Sequence, residues 1–139
     1  MSKIALALIV KADDREAELL DRCLGGISDT KTLRPELREV DIKGTSGIAG
    51  NVDTIFITIT GENEACENVA KKYGAVVSHT PWENDFAKAR NFNFSQVPAE
   101  YEYIIWCDAD DVWLHPENLR TMVDKMKEDG VDIVNLNYF

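Results

Sequence analysis

No stretch of this sequence is apolar for the roughly 20 residues that a membrane-crossing helix needs. The opening run at 4–10 is short, has no small-residue cleavage site and meets Lys11 and Asp13 at once. It therefore reads as a first strand and not as a signal peptide. Basic residues are scarce, 15 Lys and Arg against 25 Asp and Glu, for a net charge of −10. That excludes a nucleic-acid-binding surface, which needs clustered cations to displace counterions. Cysteine is sparse as well, and Cys23, Cys66 and Cys107 show neither CxxC pairing nor metal-ligand spacing. Two fall on apolar helix faces and the third lies inside a hydrophobic strand. They read as buried free thiols, as expected in a reducing, cytoplasmic compartment. What is present is 139 residues with 45% hydrophobic and 29% charged content, enough for one domain (1–139) with a real core.

Strand and helix signals alternate along the chain. Continuous apolar or β-branched runs predict strands at 4–10, 54–60, 75–78, 103–107 and 131–136. Between them, Asp13 with Glu16 three residues on predicts a helix N-terminus, and Leu20, Cys23, Leu24 and Ile27 fall at helical spacing. A second helix carries Ala65, Cys66, Val69, Ala70 and Tyr73 and stops at Gly74. A short helix is expected from Asp85 to about Phe94, and another opens at Pro116 and ends at Gly130. Such βα alternation implies an α/β fold, a mainly parallel sheet with helices on both faces. The segment 28–51 breaks the rhythm. It holds a charged stretch and the glycines of Gly44-Thr-Ser-Gly-Ile-Ala-Gly50, and is expected to be an insertion with one helical turn, mobile at the glycines.

Ligands of parallel sheets bind at the carboxyl ends of the strands. There, Tyr103-Ile-Ile-Trp-Cys-Asp108-Ala-Asp110-Asp111 delivers three carboxylates within four residues. Their mutual repulsion calls for a cation or raised pKa values, and carboxylate oxygens suit Mg²⁺ or Mn²⁺. The plainer reading is a solvated turn that caps the helix after Pro116.

Asp108-Ala109-Asp110 after an apolar strand resembles the DxD motif of family-2 glycosyltransferases. Upstream, Asp85-Phe86-Ala87-Lys88-Ala89-Arg90-Asn91 resembles the DFAxARN segment of many members. The resemblance covers most of the chain outside 28–51 and implies a Rossmann-like GT-A fold that binds a nucleotide-diphosphate sugar, with UDP as the default. It further implies that Asp108 lies near the ribose and that Asp110 coordinates the metal bridging the diphosphate. Arg90 would hold the nucleotide, with Asp85 contacting or orienting it. Since an acidic protein repels a diphosphate, the metal, helped by Lys11, Lys88 or Arg90, would supply the cations. The family's Lys-Asn-Glu-Glu after the first strand is here Lys11-Ala12-Asp13-Asp14, so Asp13 is both a candidate nucleotide contact and a helix N-cap. Ile59-Thr60-Gly61-Glu62 lacks the Asp of the family's Asp-x-Gly-Ser pattern, which leaves the base open.

Other residues fit structural roles better: His115 as a helix-start residue, His79 as structural or solvated, and Trp82 as packing or as a stacking surface for the donor. Inverting transfer also needs a general base on the acceptor hydroxyl. In the resembling family it comes well after the DxD, whereas 28 residues follow Asp111. Glu117, Glu128 and Asp132 carry no mark of that role. The expectation is a donor half without its acceptor half, incomplete at the C-terminus, with a glycan, lipid or protein as acceptor. Asp108-Ala-Asp110-Asp-Val112 also fits the nucleophile motif of HAD-type phosphohydrolases, although that motif normally ends a first strand. A phospho-receiver or a nucleotidyltransferase fits less well, for want of the phosphoacceptor and the glycine-rich loop. A nucleotide- and metal-binding module without catalysis stands beside the transferase reading.

Overall fold

The computed structural model describes residues 3–28 and 51–136. Four parallel strands form one sheet in the order β3-β2-β1-β4. They are β1 (Ile4–Lys11), β2 (Thr54–Thr60), β3 (Val76–His79) and β4 (Tyr103–Trp106). The helices are α1 (Asp14–Ser28), α2 (Glu64–Lys72), α3 (Phe86–Ser95) and α4 (Leu119–Asp129), the last entered through a 3-10 turn at Pro116–Asn118. This is the expected parallel α/β architecture, consistent with the Rossmann-like GT-A fold. Central β1 is paired on both edges and covered on both faces, which explains its unbroken apolar run.

The turns from β1, β2 and β3 into the following helices close in the same way. Asp13, Asn63 and Asp85 accept a hydrogen bond from the amide three residues on, of Glu16 (2.8 Å), Cys66 (2.9 Å) and Lys88 (3.0 Å). A short polar side chain at each N-cap thus satisfies one of the amides a helix start leaves unpaired.

The two-residue period of the strands sorts the core. Ile4, Leu6, Leu8 and Val10 of β1, Ile55, Ile57 and Ile59 of β2, and Ile105 of β4 belong to one buried cluster. Leu20, Cys23, Leu24 and Ile27 of α1, Cys66 and Ala70 of α2, and Leu119 and Val123 of α4 join it. Each large aliphatic side chain buried here stabilises the fold by about 1.5–3 kcal/mol. The alternate positions Ala5, Ala7, Phe56 and Thr58 face the other way. There α3 is anchored by Asn93, fully buried, whose amide donates to the Phe56 carbonyl and the Thr58 hydroxyl, both at 3.1 Å.

One expected element does not form. Residues 131–136 are not a strand: after Gly130, whose φ of 68° ends α4, they have no regular secondary structure and no ladder partner among the described residues. Val131, Ile133, Val134 and Leu136 are exposed, Ile133 by 80%. Apolar, β-branched composition favours a strand only where a pleated, half-buried place exists for it, and the described sheet ends at β4.

The expected insertion is not described over residues 29–50, so its helical turn and its glycine stretch lie outside the described residues. Its two flanks meet: the Asn51 side-chain amide donates to the Ile27 carbonyl, and Val52 is fully buried in the core.

Candidate functional site

The chain steps outward from β1 to β2 to β3 and then crosses to the other side of β1 for β4. The direction of winding therefore reverses between β1 and β4, and their carboxyl ends flank the crevice where open α/β sheets take ligands. On the β1 side stand Lys11, exposed, and Asp13, engaged as the α1 N-cap. Gly61, after β2, has a φ of 127°, and a Cβ there would come within 3.1 Å of the Ala12 Cβ. A glycine is needed to bring these two loops so close.

On the β4 side, Cys107 and Ala109 are buried while Asp108 and Asp110 are exposed. The alternation turns two carboxylates outward with a small apolar anchor between them. The turn is closed by Asp111, whose amide donates to the Asp108 carbonyl (3.0 Å) and whose carboxylate accepts from the Asp108 amide (2.9 Å). Asp111 thereby serves the turn itself, a common use of Asp side chains. From α1, the Arg22 guanidinium donates to the Asp110 carbonyl at 3.0 Å.

α3 contributes the cation. Arg90 Nη2 lies 3.3 Å from Asp108 Oδ1, and its guanidinium sits 4.5 Å above the Trp106 ring. Its Nη1 is buried with no hydrogen-bond partner in the protein. A buried guanidinium donor left unsatisfied is costly unless something else accepts from it. Trp106 is 58% exposed beneath this cation.

The other expected site residues lie at the start of α3. Asp85 caps the helix, and Lys88 pairs with Glu83, which raises the Lys88 pKa. Trp82 and Phe86 stack edge to face at 4.9 Å, with Phe86 70% exposed, and the Trp82 indole donates to Asn84 Oδ1. The structure thus joins Arg90 to Asp108 and sets Asp110 one residue beyond the buried Ala109, whereas the side-chain hydrogen bonds of Asp13, Asp85 and Lys88 are local. His79 bridges the Gly61 carbonyl (2.7 Å) and Glu67 (2.7 Å), and His115, at φ 57°, contacts Glu117 (3.0 Å). Both have the structural surroundings expected of them.

The three cysteines are free and buried. Cys23 Sγ is 3.8 Å from Cys107 Sγ, and this contact together with burial pushes the Cys107 thiol far up, keeping it protonated. Burial also raises Cys66.

Arg22 and Trp106 escaped sequence reading. Arg22 lies on a helix whose apolar stripe says nothing of its polar side, and its contact spans 88 residues of sequence. Trp106 did leave a signal. It has the parity of Ile104, opposite to that of Ile105 and Cys107, and so belongs to the face carrying α3.

Among the described residues no group of three or more His, Cys, Asp or Glu side chains is arranged to hold a metal ion. No helix among them is long and apolar enough to cross a membrane.

Residues 37–139 match the family model described as glycosyl transferase family 2. The matched stretch contains β2 to β4, α3 and the Asp108–Asp111 turn, while β1 and α1 precede it. A TPR repeat-containing protein of Synechococcus elongatus is 26% identical over 125 residues, which make up 90% of this chain and 25% of that protein. The chain therefore spans about a quarter of the length of this relative.

Proposed function

Because the chain belongs to glycosyl transferase family 2, we propose that it supplies the donor site of a glycosyltransferase, in the crevice between β1 and β4. The donor is a nucleotide-diphosphate sugar, UDP-linked by default, and the acceptor is a glycan, lipid or protein. The observation that carries this reading is Arg90: it reaches Asp108, rests on Trp106 and keeps one buried guanidinium nitrogen without a protein partner. An anionic or carbonyl-rich ligand entering beside it would satisfy that nitrogen.

The implied Mn²⁺ or Mg²⁺ can be tested against the donor set. Two outward carboxylates separated by one residue do not make an all-protein cage, in keeping with the lack of a three-ligand cluster among the described residues. Such ions are commonly held by one or two carboxylates, with water and substrate phosphates completing the shell. The residues therefore fit an ion shared with a diphosphate, with Asp110 as its main protein ligand and Asp108 beside it. When bound, the ion offsets the charge that develops on the departing diphosphate.

The remaining roles belong to the chain itself. Asp108, oriented by Arg90, faces the ribose. Lys11 and Lys88 add cations at the two sides of the crevice, and Asp85 fixes the start of the helix that presents Arg90. Asp13 caps α1 and contributes to the nucleotide pocket. No carboxylate of this chain is assigned as the base that inverting transfer requires. The three free, buried thiols agree with a cytoplasmic setting. The phosphohydrolase reading is set aside, because the family match covers the acidic turn.

Calorimetric titration of UDP, with Mn²⁺ and then with EDTA, tests the proposal. Metal-dependent binding that disappears in Asp110→Ala is the expected result. Failure of UDP, GDP and dTDP alike to bind a folded sample would overturn it.

A further inference from the structure

The acidic turn is held by two consecutive residues of α1. Arg22 donates to the Asp110 carbonyl at 3.0 Å, and the Cys23 thiol lies 3.9 Å from the Asp108 carbonyl, at the long contact distance typical of sulfur. From within the turn, Asp111 binds the Asp108 amide through its carboxylate and the Asp108 carbonyl through its own amide. The peptide groups around Asp108 and Asp110 are thus fixed, while the Asp110 carboxylate itself stays exposed.

We propose that Arg22 is a positioning residue of the donor site, holding the Asp110 main chain so that its carboxylate meets the metal ion already in place. The inference rests on the donor-site reading and deepens it. A ligand carboxylate is useful when its own position is locked by neighbours, and a small displacement weakens the site strongly. Neither the apolar stripe of α1 nor the acidic motif announces Arg22, which also lies before the stretch matching the family. Arg22 is exposed and outside the core, so its replacement leaves the fold intact.

A guanidinium bound to the main chain of an acidic turn could also act through its charge alone, and the two roles predict opposite signs. Removing a nearby cation strengthens the binding of another cation electrostatically. Removing a brace weakens it. The experiment is a titration of the chain with Mn²⁺ alone, read by water-proton relaxation, for wild type, Arg22→Ala and Arg22→Lys. Amide hydrogen exchange at Asp108 and Asp111 is measured on the same samples without metal. Arg22→Ala is expected to bind Mn²⁺ about three- to tenfold more weakly, on the order of the net worth of one ordinary hydrogen bond, with faster exchange in the turn. Arg22→Lys, which keeps a cationic donor, is expected to recover most of the affinity. Unchanged or tighter Mn²⁺ binding by Arg22→Ala would overturn the proposal while leaving the donor site standing. A wild type that takes up no Mn²⁺, even with UDP present, would bring down the donor-site reading and this inference with it.

Discussion

The two faces of the sheet are built on different principles. One is lined by Ile, Leu and Val and joined by side chains of α1, α2 and α4 in a single apolar cluster. The other presents Ala5 and Ala7, whose small side chains admit α3 closely, and then Thr58 and Ser78, whose hydroxyls meet at 2.8 Å. It is held by one fully buried Asn93 and leaves Ile104 and Trp106 of β4 exposed. The first face gains its stability from area removed from water. The second gives up part of that gain and keeps an aromatic surface, a cation and two carboxylates within reach of solvent. Stability and ligand chemistry are thus separated across one layer of backbone, and substitutions on the two sides should separate likewise.

The largest expected effect falls on binding alone. Asp110→Ala, on an exposed side chain, should abolish metal-dependent UDP binding in calorimetry while leaving the urea midpoint within experimental error. Next comes the core face: Leu8→Ala should cost about 2–5 kcal/mol by loss of transfer energy and creation of a cavity, read from urea unfolding. If Leu8→Ala weakened UDP binding under conditions where it remains folded, the separation would fail. Asn93→Ala tests the hinge between the two systems. It leaves the Phe56 carbonyl and Thr58 without their shared donor, and should cost about 1–3 kcal/mol, with a smaller loss of binding because α3 carries Arg90.

A weaker effect sharpens the comparison from the amino end of the sheet. Asp53 accepts from the Ile4 amide (2.7 Å) and from Arg120 (3.0 and 3.2 Å). Burial works to raise its pKa, but the hydrogen bonds of Arg120 and Ile4 outweigh it and hold the carboxyl below its ordinary 3.8. A depressed folded pKa contributes stability that is complete above the unfolded value and is lost as pH falls through the folded one. Wild type should therefore lose stability as pH drops below about 4. Asp53→Asn should be less stable at pH 7 and show a flatter acid limb, as measured by thermal midpoints across pH 2–7.

How much of this was legible in the sequence follows the same division. β1, β2 and α1 announce themselves because burial on both faces of a strand, or on one stripe of a helix, leaves an apolar pattern. The N-cap Asp13 is readable because capping is a local event, whereas the same role of Asp85 emerges only in the structure. The helix α3 is legible only as a short segment from Asp85 to about Phe94, since Ala89 and Asn93 bury it without a strong apolar stripe. Residues 131–136 misled because their composition is strand-like, while strand formation depends on a neighbour that sequence does not display. The site divides in the same manner. Asp108 and Asp110 were visible as a cluster at a strand end, and Arg90 by resemblance. Arg22 and the clamp by Asp111 were not, because a side chain donating to a distant carbonyl places no demand on residue type nearby.

The bond from Asn51 to the Ile27 carbonyl has a practical consequence. It brings together the two points between which residues 29–50 run, a closed doorway at the end of α1. Lengthening a connection whose ends are already pinned costs little, about 0.6 kcal/mol for each doubling. A peptide tag or a small reporter domain spliced into that stretch should leave the unfolding midpoint nearly where it was, making this doorway the natural port for instrumenting the protein.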